Sequence, residues 1–163
     1  MCQKDEDRYF LQQAIDLAVK NVESQGGPFA AIVVKDGKIV ATGANRVTAN
    51  NDPTAHAEVT AIRNACKTIG THDLSGCELY TSCYPCPMCL SAIIWANIKT
   101  VYYGNTKEDA ADIGFRDDFI YDFLDKISKN KEDNKILDLN QLDRDKALEV
   151  FERYKQDPNK IEY

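Results

Sequence analysis

The sequence predicts a three-layer α/β/α fold around a central mixed sheet of about five strands. Two observations indicate this fold. Segments with apolar residues at helical spacing alternate with short runs rich in β-branched residues. Two neighbouring runs also flank an Asp-Gly pair, which favours a two-residue hairpin turn and therefore antiparallel strands. The resulting order of helix, hairpin, helix, strand, helix and strand is typical of a layered α/β domain.

The amino-terminal part of the chain predicts a helix followed by a hairpin. Residues 5–23 place Leu11, Ala14, Ile15, Ala18 and Val22 at a spacing of three to four, which indicates an amphipathic helix. The stretch QGGP at 25–28 ends it. The runs FAAIVVK (29–35) and KIVATGAN (38–45) then flank Asp36-Gly37 as two strands.

The middle of the chain predicts two further helix–strand pairs. The stretch TANNDPTA at 48–55 is a polar loop, and its Asp52-Pro53 pair favours a helix start, so a helix is expected over about 54–69, ending near Gly70. The remaining predicted elements are a strand at CELYTSC (77–83), a helix at PCPMCLSAIIWAN (85–97) and a strand at TVYYG (100–104).

The last third of the chain predicts helices joined by a polar linker. GFRDDFIYDFLDKI (114–127) is interpreted as a loop that enters a helix, SKNKEDNK (128–135) as a solvated linker, and LDRDKALEVFERYK (142–155) as a second helix. We therefore expect a core at 1–126 and a helical extension and tail at 127–163 that belong to the same domain.

Composition narrows the class of protein. A chain of 163 residues with 44% hydrophobic and 28% charged residues is ordinary for one globular domain. No apolar run approaches the length of a membrane span, and the acidic start MCQKDEDRYF does not resemble a signal peptide, so a cytoplasmic location is expected. The net charge of −6, without a basic stripe, argues against a nucleic acid partner. In a reducing compartment, six cysteines indicate thiols or metal ligands before disulfides.

Two cysteines stand where a helix is predicted to begin. In PCPMC, Pro87 suits the first helical position, which places Cys86 and Cys89 around the first turn. The helix dipole and free N–H groups there favour thiolates. A redox pair would need the same environment, so this pattern alone does not distinguish a redox pair from a metal site.

A histidine and a glutamate upstream favour a catalytic metal. His56 and Glu58 lie at the start of another predicted helix, and in an α/β domain of this order the two helix starts can converge on one crevice. His56, Cys86 and Cys89 would give zinc three ligands and leave a fourth position for water. Glu58 would then carry protons between that water and the substrate. H-x-E followed by P-C-x-x-C is the signature of zinc-dependent nucleobase deaminases.

Other interpretations remain for the same residues. Cys83 extends the pattern to C-x-x-C-x-x-C, but LSAIIW at 90–95 lacks the further cysteine of an iron–sulfur cluster, so Cys83 is interpreted as a small side chain at a strand end. His72 is expected in a solvated loop rather than on the metal. A zinc-stabilised interaction module without catalysis is a further alternative, and it would have no use for Glu58.

The sequence resembles the cytidine deaminase-like zinc hydrolases, and within them the bacterial guanine deaminases. The matching stretches are GGPFAAIVVKDG, NDPTAHAEVTAIRNACK, LYTSCYPCPMC, AIIWA, GFRDDFIY and the terminal Glu162-Tyr163. The zinc motif is common to the whole superfamily, whereas GFRDDFIY and the terminal tyrosine point to guanine. Tyr84 stands where guanine deaminases that resemble this chain usually have glutamate.

The resemblance implies a cytidine deaminase-like fold and hydrolysis of guanine to xanthine and ammonia by zinc-bound hydroxide, with Glu58 as proton shuttle, in purine salvage or catabolism. It implies one zinc per chain and a homodimer that exchanges its carboxyl-terminal segment. The implied guanine contacts are Asn45, Phe29, Trp95, Asp117 and Tyr163. The alternative substrates are guanosine, cytosine and a tRNA adenosine.

Overall fold

Helices alternate with strands along most of the chain. The computed structural model describes residues 3–129, 131 and 135–162. In chain order the elements are α1 (Gln3–Glu23), β1 (Ala30–Lys35), β2 (Lys38–Ala44), α2 (Val47–Asn50), α3 (Ala57–Ile69), β3 (Cys77–Cys83), α4 (Pro87–Trp95), β4 (Thr100–Asn105), α5 (Lys107–Asp112), α6 (Asp118–Ser128) and α7 (Arg144–Gln156). No helix in these ranges combines the length and apolar character that a membrane span requires.

The chain divides into two units between Asp117 and Asp118. The first unit contains the sheet with α1 to α5, and the second contains α6 and α7. In the second unit, α7 leaves Val150 and Phe151 64% and 71% exposed. The predicted division into 1–126 and 127–163 stays a prediction.

The sheet is mixed, as predicted, but it has four strands in the described part of the chain rather than about five. Their order is β2-β1-β3-β4; β1 is antiparallel to β2 and β3, and β3 is parallel to β4. The β1–β2 turn has positive φ at Asp36 (50°) and Gly37 (70°), as a tight hairpin turn requires. The described residues after β4 form helices and connecting loops and add no further strand.

The two faces of the sheet follow the two-residue period of its strands. Ile32 and Val34 of β1 pack with Phe10 and Ala14 of α1, together with Tyr80 of β3. On the opposite face, the alternate β1 residues 31 and 33 pack against α3 and α4. Helices therefore cover both faces, which gives the predicted three layers.

A glycine in β2 fixes the position of α3. A Cβ atom at Gly43 would lie 2.3 Å from the Ala57 carbonyl oxygen and 2.3 Å from the Ala61 nitrogen, which leaves no room for a side chain. On α3, the fully buried Ala57, Ala61 and Ala65 recur every four residues and form a flat contact surface. The first turn of α3 therefore lies directly on the sheet.

Two sequence predictions about the segment between β2 and α3 were wrong. The expected loop at 48–55 contains the short helix α2, and α3 begins at Ala57 rather than at 54. The reason is that Asp52 accepts hydrogen bonds from the Thr54 backbone N–H (2.8 Å) and hydroxyl (2.7 Å), which close a local turn instead of capping a helix. The predicted helix end at Gly70 is confirmed, since this residue has φ 81°.

Candidate metal centre and active site

The topology brings two helix starts to one edge of the sheet. Strands β2 and β3 both run antiparallel to the intervening β1, so their carboxyl ends lie at the same edge. Helix α3 follows β2 with His56 as its N-cap, and α4 follows β3 with Cys86 as its N-cap. Pro87 occupies the first turn of α4, as predicted. The edge of the sheet therefore collects donor atoms from segments 30 residues apart in sequence.

Three donor atoms meet at this edge. His56 Nδ1 lies 3.5 Å from Cys86 Sγ and 3.6 Å from Cys89 Sγ, and the three atoms are within 4.8 Å of one another. A tetrahedral zinc ion with Zn–N near 2.0 Å and Zn–S near 2.3 Å separates nitrogen from sulfur by about 3.5 Å. The donor set therefore fits zinc in both chemistry and spacing. Among the described residues, this is the one such group with three donors.

Contacts among the three donors shift their pKa values. The pKa of the Cys86 thiol is lowered, chiefly because Cys89 donates a hydrogen bond to its sulfur. The pKa of Cys89 is raised for the same reason and by burial. The contact with Cys86 raises the pKa of His56. A divalent cation bound here would displace the protons of these donors, since metal ligands bind in their deprotonated form.

A buried carboxylate lies next to the donors. Glu58 is only 6% exposed, and its Oε2 lies 3.3 Å from Cys89 Sγ. Burial raises the pKa of this carboxyl group above its usual range. Its other oxygen, Oε1, accepts a hydrogen bond of 3.2 Å from the Thr81 hydroxyl. One oxygen is therefore held by the sheet while the other faces the donor group.

Thr81 was not singled out from the sequence. It is 1% exposed in β3, two residues before Cys83 and therefore on the same face of the strand. A buried hydroxyl requires a hydrogen-bond acceptor, and Glu58 supplies one. One signal in the sequence could have identified it: Thr81 is a polar residue at an inward-facing position of the strand that precedes the cysteine motif.

Two of the predicted substrate contacts lie together at the same edge. Phe29 precedes β1 and Asn45 follows β2, and the Asn45 backbone N–H donates to the Phe29 carbonyl oxygen at 2.9 Å. The Asn45 side chain is buried (8% exposed), and its Oδ1 accepts from the Val47 N–H at 3.3 Å. The ring of Phe29 packs edge-on against Phe115 with centroids 4.9 Å apart. This cluster forms an aromatic and amide surface beside the sheet.

The other predicted contacts differ in position. Asp117 is half-buried and near enough to Cys83 to add to the increase in the pKa of that thiol, which burial raises to about 11. Trp95 ends α4, at the opposite end from Cys89, and is 67% exposed. Tyr163 lies outside the described residues.

The residues with alternative interpretations are also placed. Cys83 is buried at the end of β3, where its Sγ lies 3.5 Å from the Thr106 carbonyl oxygen, and it is not among the three donors. His72 is exposed. The Tyr84 ring packs edge-on against Tyr103 at 5.0 Å, and Lys107 Nζ lies 5.6 Å from its centroid.

Comparison with known proteins places this site in a family. The profile of the cytidine and deoxycytidylate deaminase zinc-binding region matches residues 4–105. The chain is 49% identical to the guanine deaminase of Bacillus subtilis over 155 residues, which cover 94% of this chain and 97% of that protein. It is 39% identical to the tRNA-specific adenosine deaminase of Agrobacterium fabrum over 113 residues, which cover 68% and 74% of the two chains.

A solved structure agrees with the sequence comparison. The X-ray structure of guanine deaminase from Bacillus subtilis superposes with a TM-score of 0.89 at 47% identity, covering 100% of this chain and 99% of that one. The profile match spans the histidine, the glutamate and both cysteines of the site. The chain therefore belongs to the cytidine and deoxycytidylate deaminase family of zinc-binding proteins.

Proposed function

We propose that this protein is a zinc-dependent aminohydrolase that converts guanine and water to xanthine and ammonia. The observation that supports this most strongly is the 49% identity to a guanine deaminase over 94% of the chain. The site supports the same chemistry, because a three-donor metal centre lies beside a buried carboxylate. A deaminase of this kind is a hydrolase that acts on a small nucleobase.

His56, Cys86 and Cys89 hold the zinc ion in this proposal. Two thiolates and a neutral imidazole balance its charge, and three protein donors leave a position for water, as in catalytic rather than structural sites. Bound there, zinc supplies Lewis-acid activation that lowers the pKa of a water molecule towards neutrality.

Glu58 moves the protons. Its Oε2, on the side of the donors, accepts a proton from the attacking water and delivers it to a ring nitrogen of guanine. The same carboxylate transfers the second proton of the water to the exocyclic amino group. A C–O bond forms at C2, the bond between C2 and the exocyclic amino nitrogen breaks, and this nitrogen leaves as ammonia. The raised pKa of Glu58 suits this role, because the group must both take up and release a proton.

In this proposal, the base is bound by residues at the same edge of the sheet as the metal donors. Asn45 offers an amide with both donor and acceptor atoms, which matches the mixed hydrogen-bonding edge of a purine. Phe29 presents a ring face for packing, and its position beside Phe115 keeps that surface apolar. Asp117 is the second polar contact to the ring. Trp95 and Tyr163 complete the contacts, and the exposure of Trp95 leaves its ring accessible to a ligand or a second chain.

The protein acts as a cytoplasmic homodimer in this proposal. The exposed Val150 and Phe151 of α7 support it, because apolar side chains on one helix favour burial against a second copy. In the resemblance described above, the carboxyl-terminal segment is exchanged between chains, which would bring Tyr163 to the partner's site.

The alternative substrate with specific support is a tRNA adenosine, because a tRNA-specific adenosine deaminase is 39% identical over 68% of this chain. The test is ammonia release from guanine, guanosine, adenine, cytosine and a tRNA anticodon stem, each with the purified protein. We expect turnover of guanine well above that of the others. An inert guanine together with turnover of another substrate would contradict the proposal.

A further inference from the structure

Asn21 makes a buried junction at the end of α1. Its side chain is 6% exposed, and its Nδ2 donates to two backbone carbonyl oxygens, those of Gly27 (2.8 Å) and Asn45 (2.9 Å). Both amide hydrogens are thereby used. Since both partners are carbonyl oxygens, the hydrogen-bond network fixes which atom of the amide is the nitrogen.

The backbone of the same residue holds the following loop. The Gly26 N–H donates to the Asn21 carbonyl oxygen at 2.7 Å, the Gln25 N–H donates to the Val22 carbonyl oxygen at 2.9 Å, and Gln25 has φ 61°. This is the pattern of a Schellman helix end, and Asn21 supplies its outermost acceptor. Asn21 thus binds the loop through its carbonyl group and through its side chain.

The junction has no spare room. A Cβ atom at Gly26 would lie 2.4 Å from Asn21 Nδ2, and one at Gly27 would lie 2.8 Å from Asn45 Oδ1. The two glycines are therefore packed between the two asparagine side chains. A shift of Asn21 would act on Asn45 directly through the hydrogen bond from Asn21 Nδ2 to the Asn45 carbonyl oxygen.

The junction connects the two segments that hold the aromatic and amide contacts. From Asn45, the backbone N–H continues to the Phe29 carbonyl oxygen at 2.9 Å. The Asn45 Oδ1 accepts from the Val47 N–H, so its Nδ2 is directed away from Val47. Asn21 is therefore tied to the backbone of Asn45, and through it to Phe29.

We propose that Asn21 is a positioning residue for the surface formed by Phe29 and Asn45, and that it controls how tightly the nucleobase binds rather than how fast bound base reacts. This inference rests on the proposed function, in which those two residues contact guanine. None of these hydrogen bonds reaches a metal donor, so we expect zinc binding to depend little on Asn21.

The test compares Asn21→Leu and Asn21→Asp with the wild-type protein. Leucine removes both donors while keeping the number of side-chain heavy atoms and the branching at Cγ, and aspartate keeps the shape but turns a carboxylate towards two carbonyl oxygens. We expect the KM for guanine and the Kd for xanthine, measured by calorimetry, to rise about tenfold, while kcat changes less than about threefold. Zinc content is expected to stay at the wild-type value. Ser24→Ala, which removes an exposed side-chain bond to the Lys20 carbonyl at the same helix end, is the matched control.

A second variant covers the case in which Asn21 variants fail to fold. Gly27→Ala leaves Asn21 in place but pushes on the Asn45 side chain, so the same rise in KM and Kd is expected. In addition, the side-chain amide resonance of Asn45, identified by its loss in Asn45→Ser, is expected to shift in a folded Asn21 variant without any ligand. Wild-type KM, Kd and Asn45 resonance in folded variants would overturn the inference. A wild-type protein that does not bind guanine would refute the proposed function, and the Asn45 resonance would still decide the role of Asn21.

Discussion

The metal-donor side of the site and its proposed base-recognition side, formed by Phe29 and Asn45, are held by different kinds of structure. The donors lie in the first turns of α3 and α4, and those helices pack on the sheet through buried residues such as Ala61 and Ile93. Phe29 and Asn45 lie in segments between elements, and Phe29 packs against Phe115, which is 48% exposed. In the proposed mechanism, the groups that carry out the chemical step are therefore held by packed helices, whereas these two base contacts are held by connecting segments.

The largest effect is expected from Glu58→Gln, which tests the metal-donor side. The amide keeps the shape but cannot accept a proton from water, so we expect kcat for guanine to fall by about 10²–10⁴-fold. Zinc content and thermal stability should change little, because the amide can still accept the Thr81 hydrogen bond. Near-normal ammonia release would rule out the proton-shuttle role of Glu58. The exposed Glu149→Gln serves as the control.

The recognition side is tested by Asn45→Ala. Loss of a hydrogen bond pair to the base is expected to raise the KM for guanine by about 10- to 100-fold, with a smaller effect on kcat. If kcat fell as far as in Glu58→Gln while KM stayed constant, the separation between the two sides would be wrong. Asn50→Ala, an exposed position in the nearby α2, is the control.

Thr81→Val tests whether the hydrogen bond from Thr81 orients Glu58 beside the metal donors. Valine has the shape of threonine without its hydroxyl, so Glu58 loses a bond that orients it. We expect kcat to fall about tenfold with KM unchanged. Thr81→Ser keeps a hydroxyl and should restore most of the activity. Equal kcat values for the valine and serine variants would show that the bond does not matter for turnover.

The smallest effect is expected from removal of residues 157–163. These residues follow α7, and the proposal gives the terminal tyrosine a role in closing the site. We expect kcat/KM to fall several-fold, with less change in the melting temperature. An unchanged rate would contradict the contribution of the tail.

The sequence was sufficient for the donor side because its residues stand at helix starts with local signals. Pro87 and the H-x-E and C-x-x-C spacings predict where those side chains lie relative to the backbone. Thr81 and Asn21 escaped prediction because their roles depend on contacts with residues 23 and 24 positions away. The start of α3 was misplaced because an aspartate before proline suits a local turn as well as a helix cap.

The exposure of Trp95 shows a second limit of prediction from the sequence. The helical spacing of the PCPMC helix predicts that residue 95 is helical, which it is, but not that its ring is 67% exposed. The exposure of a side chain depends on what the rest of the chain packs against it, and that is a tertiary property.

Metal analysis combined with X-ray absorption at the zinc edge tests the catalytic zinc site. We expect one zinc ion per chain in the purified protein, bound by two sulfur atoms, one imidazole nitrogen and one oxygen from water. Replacement of Cys86 by alanine should abolish this binding. A protein that contains no metal, or a zinc ion bound by four side chains, would contradict a hydrolytic zinc site with an open position for water.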